Sequence, residues 1–308
     1  MAKLSYPLVY HPLYDLNLGA HVFPSQKFRL IHDALIAGGL ADLADFLTPE
    51  RASDEDVLRV HTSEYVHKLK TGTLNYLEKL RMEIPYSPEL VEAVWLAVGG
   101  STLAARKALA AGCAANIGGG FHHAYPDHGE GFCVLHDVAI AIRTLQAANE
   151  ISRAMVIDTD VHQGNGTAAI FANDLTVFTL SIHQENNYPI PKPPSSMDIN
   201  LDDGVEDDEY LQLLERGVFE ALQAFKPDLI FYIGGADPYE QDQLGGLRLT
   251  MGGLQKRDAL VFKHARDRKI PFAIALAGGY ARRVDDTVRI HVNTFLAAES
   301  STSNHARA

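Results

Sequence analysis

Gly118-Gly119-Gly120-Phe121-His122-His123 and, further along, Asp158-Thr159-Asp160-Val161-His162-Gln163-Gly164-Asn165-Gly166 combine residues able to hold a divalent metal and move a proton beside it. Carboxylate oxygens and neutral imidazole nitrogens are ligands for Zn²⁺ and other borderline metals. Asp158, Asp160 and His162 recur at every second position, which on an extended chain aims them at one side. A third ligand must come from elsewhere, and Asp237 is the best-placed candidate. Three protein ligands leave a position open for water, the arrangement of a catalytic rather than a structural site. Adjacent histidines on an extended segment point apart, so both cannot easily bind that metal. His122 and His123 read instead as rings facing a water and a substrate beside it, with Asp158 and Asn165 available to steady them.

Such groups need rigid elements to aim them. Short apolar runs predict strands at 8–10, 114–118, 154–160, 176–183, 228–234 and 271–277. Continuous rather than alternating runs mark strands buried on both faces of a parallel sheet. Helical stretches fall at 88–111, 137–149, 207–225, 254–269 and 284–296. Ser87-Pro88 fits an N-cap followed by proline at the first helical position, and Gly112 fits the stop. The alternation predicts an α/β fold, a central mainly parallel sheet flanked by helices. No linker or repeat divides the chain, so residues 1–298 are expected to form one domain. The small, polar segment 299–308 is expected to be a disordered tail. Each polar group named above follows a predicted strand, as do Asp237 and Tyr280, reached through Gly235-Ala236 and Gly278-Gly279. In open parallel sheets, ligands bind beyond the carboxyl ends of the strands. Four strands are thus expected to deliver polar groups to one rim.

The 308 residues are 46% hydrophobic and 21% charged, an ordinary globular composition able to bury a large core. Net charge is −12, and basic residues come only in short groups such as Lys256-Arg257 and Arg282-Arg283. A phosphate-binding stripe needs clustered cations, so direct nucleic-acid binding is not expected. A cationic substrate is compatible with the acidic balance. Cys113 and Cys133 sit in apolar or glycine-rich surroundings and read as small buried residues. The first residues lack a signal-peptide pattern, and no apolar run approaches the roughly 20 residues of a membrane span. These features predict a soluble, cytoplasmic protein.

Gly-Gly-Gly-Phe-His-His, Gly131-Phe132-Cys133, Asp158-x-Asp160-x-His162-x-Gly164-Asn165-Gly166, Gly235-Ala236-Asp237 with Asp242-x-Leu244-Gly245, and Gly278-Gly279-Tyr280 occur in that order. The series resembles the zinc-dependent histone deacetylase superfamily, which includes acetylpolyamine amidohydrolases, from about His11 to Leu296. Gln163-Gly164-Asn165-Gly166, Asp207-Asp208-Glu209-Tyr210-Leu211 and Leu244-Gly245-Gly246-Leu247 look most like its class IV branch.

The resemblance implies an arginase/deacetylase-like fold and hydrolysis of an N-acyl amide. By matching position, Asp160, His162 and Asp237 would hold Zn²⁺, a site that Fe²⁺ can also fill. His122 and His123 would be the acid/base pair, backed by Asp158 and Asn165. Tyr280 would polarise the substrate carbonyl. Gly131 would receive the substrate N–H on its backbone carbonyl, while Phe132 and Tyr188 would line the acyl-lysine channel. Asp158, Asp160, His162, Ser181 and Ile182 align with a structural monovalent-cation site for K⁺. The substrate implied is N-acyl-lysine in a protein or peptide, with acetylpolyamines as the alternative and a silent acyl-lysine reader as a more distant one. Asn165 replaces the aspartate of class I members, and a neutral amide can orient His123 without stabilising its charged form. On that ground His123 is expected to be neutral, and Asn165→Asp to move the acidic limb of the rate profile upward.

Other residues carry weaker signals. His11, His21 and His32 read as caps or solvent contacts, with Tyr14 and His21 within reach of an entrance loop. His128, between Asp127 and Gly129, is expected to be exposed, and Trp95 to pack in the core. Asn186-Asn187-Tyr188-Pro189, followed by Pro191 and Pro193, predicts a rigid loop at the pocket rim.

Overall fold

Apolar runs that stay buried from end to end form the middle of an eight-stranded sheet in the computed structural model, which describes residues 3–303. The strands are β1 (Leu8–Val9), β2 (Phe46–Leu47), β3 (Cys113–Asn116), β4 (Ala154–Asp158), β5 (Val177–Gln184), β6 (Met197–Leu201), β7 (Leu229–Ile233) and β8 (Phe272–Ala275). Their order is β2-β1-β3-β8-β7-β4-β5-β6, and every pairing is parallel. Strand alternation splits the interior in two. Met155, Ile157, Ile230 and Tyr232 pack on one face; Ala154, Val156, Leu229, Phe231 and Ile233 pack on the other. That is why these strands read as unbroken apolar runs.

The helices are α1 (Gln26–Ala37), α2 (Asp54–Val57), α3 (Ser63–Thr71), α4 (Tyr76–Met82), α5 (Pro88–Ala111), α6 (Asp137–Ala147), α7 (Asn165–Ile170), α8 (Asp207–Ala224), α9 (Met251–Asp267) and α10 (Val284–Ser303). Ser87 caps α5 by accepting from the Leu90 amide, and Gly112 ends it at φ 83°. The structure adds elements that the apolar pattern did not predict. β2 spans two residues, and edge strand β6 is largely half-exposed, so neither makes a continuous apolar run. Helix α1 carries a buried stripe of Phe28, Ile31 and Leu35 that was available to be read. Helix α9 starts earlier than expected, at Met251, because Thr250 caps it from outside.

Two expectations need correction. The run predicted as one strand over 154–160 leaves the sheet at Asp158. Helix α10 continues past 296 to Ser303, so 299–303 is helical, and Glu299 accepts from both the amide and the hydroxyl of Ser5. Residues 304–308 lie outside the described residues. Among the described residues, no helix is long and apolar enough to cross a membrane.

Candidate active site

Four neighbouring strands in the sheet, β3, β8, β7 and β4, carry the loops that bear the polar groups. Beyond β4 the chain turns on its own carboxylates. The Asp160 amide donates to Asp158 Oδ1 at 3.1 Å, and the His162 amide donates to Asp160 Oδ1 at 3.0 Å. These local side chain–backbone bonds, rather than extended alternation, gather the three residues. Asp237 arrives from β7, its Oδ1 accepting from the Val161 amide at 2.9 Å.

Asp160, His162 and Asp237 are all buried and offer ligand atoms within 4.8 Å of one another. Glycine permits the approach of the flanking loops. A Cβ on Gly278 would fall 2.0 Å from Asp237 Oδ2, and one on Gly235 would fall 2.5 Å from Asp160 Oδ2. Burial and the Asp160 charge push Asp237 up to about 7. Burial opposes charge on His162, but bonds to Asp160 and Asp237 outweigh it and push the ring up to about 10. Asp237 Oδ2 is buried, with His162 Nδ1 3.5 Å away and no hydrogen bond of standard geometry. Crowded carboxylates with an unused inward oxygen are what a bound cation relieves, and two oxygens with one imidazole suit a borderline metal. The residues therefore fit a metal ion.

The glycine run delivers the histidines. Asp137, buried at the start of α6, accepts from the Gly120 amide at 3.0 Å and the Phe121 amide at 2.8 Å, folding the turn back onto the sheet. The His122 and His123 ring centroids then lie 4.0 Å apart. His122 Nδ1 donates to Asp158 Oδ2 at 2.7 Å, and His123 Nδ1 meets Asn165 Oδ1 at 2.7 Å. The consequences differ. Burial lowers His122, but Asp158 and Asp160 outweigh it and raise the ring to about 9. Burial together with His122 and His162 holds His123 well below its usual value, hence neutral.

Tyr280 is buried opposite, its ring 6.5 Å from that of His162 and 5.8 Å from that of Phe132. Asp242 sets its backbone by accepting from the Tyr280 amide at 2.7 Å. A pocket runs outward from His123, His162 and Tyr280 past Gly131, Phe132 and Tyr188 to His21, Val22, Leu80, Glu83 and Leu244. Ser181 pairs with Asp158 in register, but its hydroxyl contacts His183 Nδ1 at 2.9 Å, and the Ile182 side chain lies in the core. Gln163 donates to Pro193 O at 2.7 Å, tying the proline-rich loop to the loop of Asp160 and His162.

Tyr14 is not at the entrance. It is buried, bonded to Asn116 and lining an inner apolar cavity. His21 does reach the pocket mouth, and His11 caps a short turn. His128 is not exposed as expected. It stacks on Tyr125 and contacts Glu130 Oε2 at 3.3 Å. Trp95 is fully buried.

Sequence reasoning missed three charged residues around the site. Lys27 is fully buried on α1, donating to Ala277 O at 2.6 Å just before the Gly278-Gly279-Tyr280 turn. Burial pushes it down to about 8. Arg257, noted in the sequence only as part of a short basic group, is fully buried and ion-paired with Asp258. Its guanidinium donates to Thr159 O at 3.2 Å and Gly235 O at 2.7 Å. The adjacent charges Arg257-Asp258 within a helical run were the one available signal. Glu130, in a glycine-flanked loop, accepts at Oε1 from Asn165 Nδ2 and the Tyr188 hydroxyl, each at 2.6 Å.

The histone deacetylase domain model matches residues 21–295. This chain belongs to the histone deacetylase family. Histone deacetylase 2 of Arabidopsis thaliana is 31% identical over 94% of this chain and 78% of its own length. A probable deacetylase of Methanothermobacter thermautotrophicus is 33% identical over 89% of this chain and 85% of its own. An uncharacterized protein of Picosynechococcus sp. is 41% identical over 94% and 96%. The acetylpolyamine aminohydrolase of Burkholderia pseudomallei superposes with TM-score 0.79 at 20% identity, covering 96% of this chain and 98% of that one. The HD domain of HDA15 superposes at 0.81 and 22%, covering 96% and 89%. As a member of the histone deacetylase family with the arginase/deacetylase-like fold, the protein is an amidohydrolase of the deacetylase type.

Proposed function

We propose that this protein is a Zn²⁺-dependent deacylase of N-acyl-lysine, of the class IV type, acting on protein or peptide substrates. The reading rests above all on one arrangement. Two differently backed histidines and a buried tyrosine surround the Asp160, His162 and Asp237 cluster at the foot of a pocket open to the surface. When bound, Zn²⁺ supplies a Lewis acid for the amide carbonyl and lowers the pKa of a water from 15.7 towards about 7.

The chain's own groups then do the following. Asp160, His162 and Asp237 hold the metal. With Nδ1 engaged by Asn165, His123 offers Nε2 as the base that accepts the proton of the attacking water. Tyr280 donates its hydroxyl to the developing oxyanion, a role whose loss costs about 10²–10³-fold in rate. Asp158, held against His122 Nδ1 at 2.7 Å, favours the protonated ring, which would complement the negative charge that develops beside it. A histidine returns a proton to the departing amine. Gly131 O receives the substrate N–H, and Phe132 and Tyr188 flank the acyl-lysine stem. Asp158, Asp160, His162, Ser181 and Ile182 would hold the structural K⁺.

Glu83 supports a second reading. It is an exposed carboxylate at the mouth, where a protonated polyamine would meet it. Metal-reconstituted protein assayed on acetyl- and longer acyl-lysine peptides beside acetylspermidine separates the two, since turnover of the polyamine alone would sink the lysine reading. His123→Ala is expected to lower kcat by about 10²–10⁴-fold while a hydroxamate ligand still binds. Hydroxamate binding by a parent protein that turns over none of these substrates would instead favour a non-catalytic reader.

A further inference from the structure

We infer that Glu130 is a positioning residue for the reaction: its carboxylate fixes which way the Asn165 amide faces, and so which nitrogen of His123 carries the proton. This rests on the proposed role of His123 as base.

An asparagine side chain can present either oxygen or nitrogen to a neighbour, and a neutral histidine accepts either by choosing its tautomer. The His123–Asn165 contact at 2.7 Å therefore does not by itself define a base. With the amide reversed, His123 Nδ1 would accept and Nε2 would carry the hydrogen, leaving nothing to take a proton from water. The Tyr125 hydroxyl also lies beside Asn165, but a hydroxyl both gives and accepts and cannot select a direction. An ionised carboxylate can, because it only accepts.

Glu130 Oε1 stands 2.6 Å from Asn165 Nδ2. Reversal would place two oxygens at that distance and leave a donor facing His123. Glu130 is held in turn by the Tyr188 hydroxyl at 2.6 Å and His128 Nε2 at 3.3 Å. Those bonds outweigh burial and keep its acid below the usual range, so it is ionised at neutral pH. It also precedes Gly131, whose added Cβ would fall 2.9 Å from His123 Cδ2 and 3.1 Å from Tyr188 Cε1. One carboxylate thus braces the base and a wall of the channel together.

The arrangement changes the expectation for Asn165→Asp. A carboxylate at 165 would face Glu130 across the same 2.6 Å gap, and one of the two would have to keep a proton. The substitution alone is therefore expected to lower activity, and Glu130→Gln to restore it.

The test compares kcat and KM of the metal-reconstituted full chain on an acetyl-lysine peptide, with histidine ¹⁵N NMR of the metal-free protein. Glu130→Ala is expected to lower kcat about tenfold or more. The loss should persist in a Tyr188→Phe background and vanish in an Asn165→Ala background. Glu130→Gln, whose amide can offer either oxygen or nitrogen and so does not fix a direction, should recover only part of kcat. In the spectra, His123 should carry its proton on Nδ1 in the parent form and become a tautomer mixture in the Ala form. An unchanged tautomer in Glu130→Ala, or equal kcat losses in both backgrounds, overturns the inference. If the parent protein cleaves no acyl-amine, the proposed activity fails while the tautomer measurement still decides what Glu130 does.

Discussion

His122 and His123 share one turn and nearly touch, yet the ground behind them is opposite. Behind His122 stands the sheet: Asp158, the last residue of β4, buried and charged. Behind His123 stands the start of helix α7, with the Asn165 amide first and the Glu130 carboxylate beyond it near the channel. Identical side chains take opposite protonation states because their partners differ in charge, not because they differ in burial. Both rings are buried; one is raised to about 9 and the other held low. A positive and a neutral imidazole side by side can stabilise negative charge and accept a proton at the same pH.

The strongest way to break this contrast is to remove the charge on the His122 side. Asp158→Asn should leave His122 neutral at pH 7 and lower kcat by about 10²-fold, with ¹⁵N shifts of His122 reporting the change. A His122 ring that stays protonated in that variant would mean Asp160 alone sets its charge.

A smaller effect is expected from placing a charge behind the other ring. Asn165→Asp with Glu130→Gln sets a carboxylate against His123 without the opposing acid. The pKa of His123 then rises, so the ring keeps its proton to higher pH and the base form is lost earlier on acidification. The acidic limb of kcat/KM should move upward; a limb that stays in place would show that another group sets it.

Tyr188→Phe touches only the channel end of the Glu130 chain and should raise KM a few-fold with kcat nearly unchanged. A kcat loss as large as that of Glu130→Ala would place the carboxylate's role at the channel wall.

The residues of the site were legible where the chain punctuates itself. Asp158, Asp237 and Tyr280 could be placed because buried parallel strands end abruptly in Gly or Asp, and Ser87-Pro88 with Gly112 marked both ends of α5. What failed was the geometry between marks. Asp158, Asp160 and His162 read as alternating along an extended chain, whereas bonds to the Asp158 and Asp160 carboxylates curl it. Glu130 was invisible because a lone acid between glycines has no periodicity, and its meaning comes from Asn165 and Tyr188, each more than thirty positions away. Lys27 and Arg257 lie on amphipathic helices where charge ordinarily signals the solvent face. Only packing turned them inward.

Arg257 has a consequence for how the protein matures. Its guanidinium ties the carbonyl of Thr159 to that of Gly235, in the two loops that bear Asp160, His162 and Asp237, and Asp258 holds it in place. The chain thus brings its own resident cation to the floor of the site, and the loops need no incoming ion to tie them together. With the metal role proposed above, folding and metal loading are expected to be separable events. Chelation should then abolish turnover while leaving the near-ultraviolet circular dichroism almost unchanged; collapse of that signal would show that the ion, not Arg257, holds the loops.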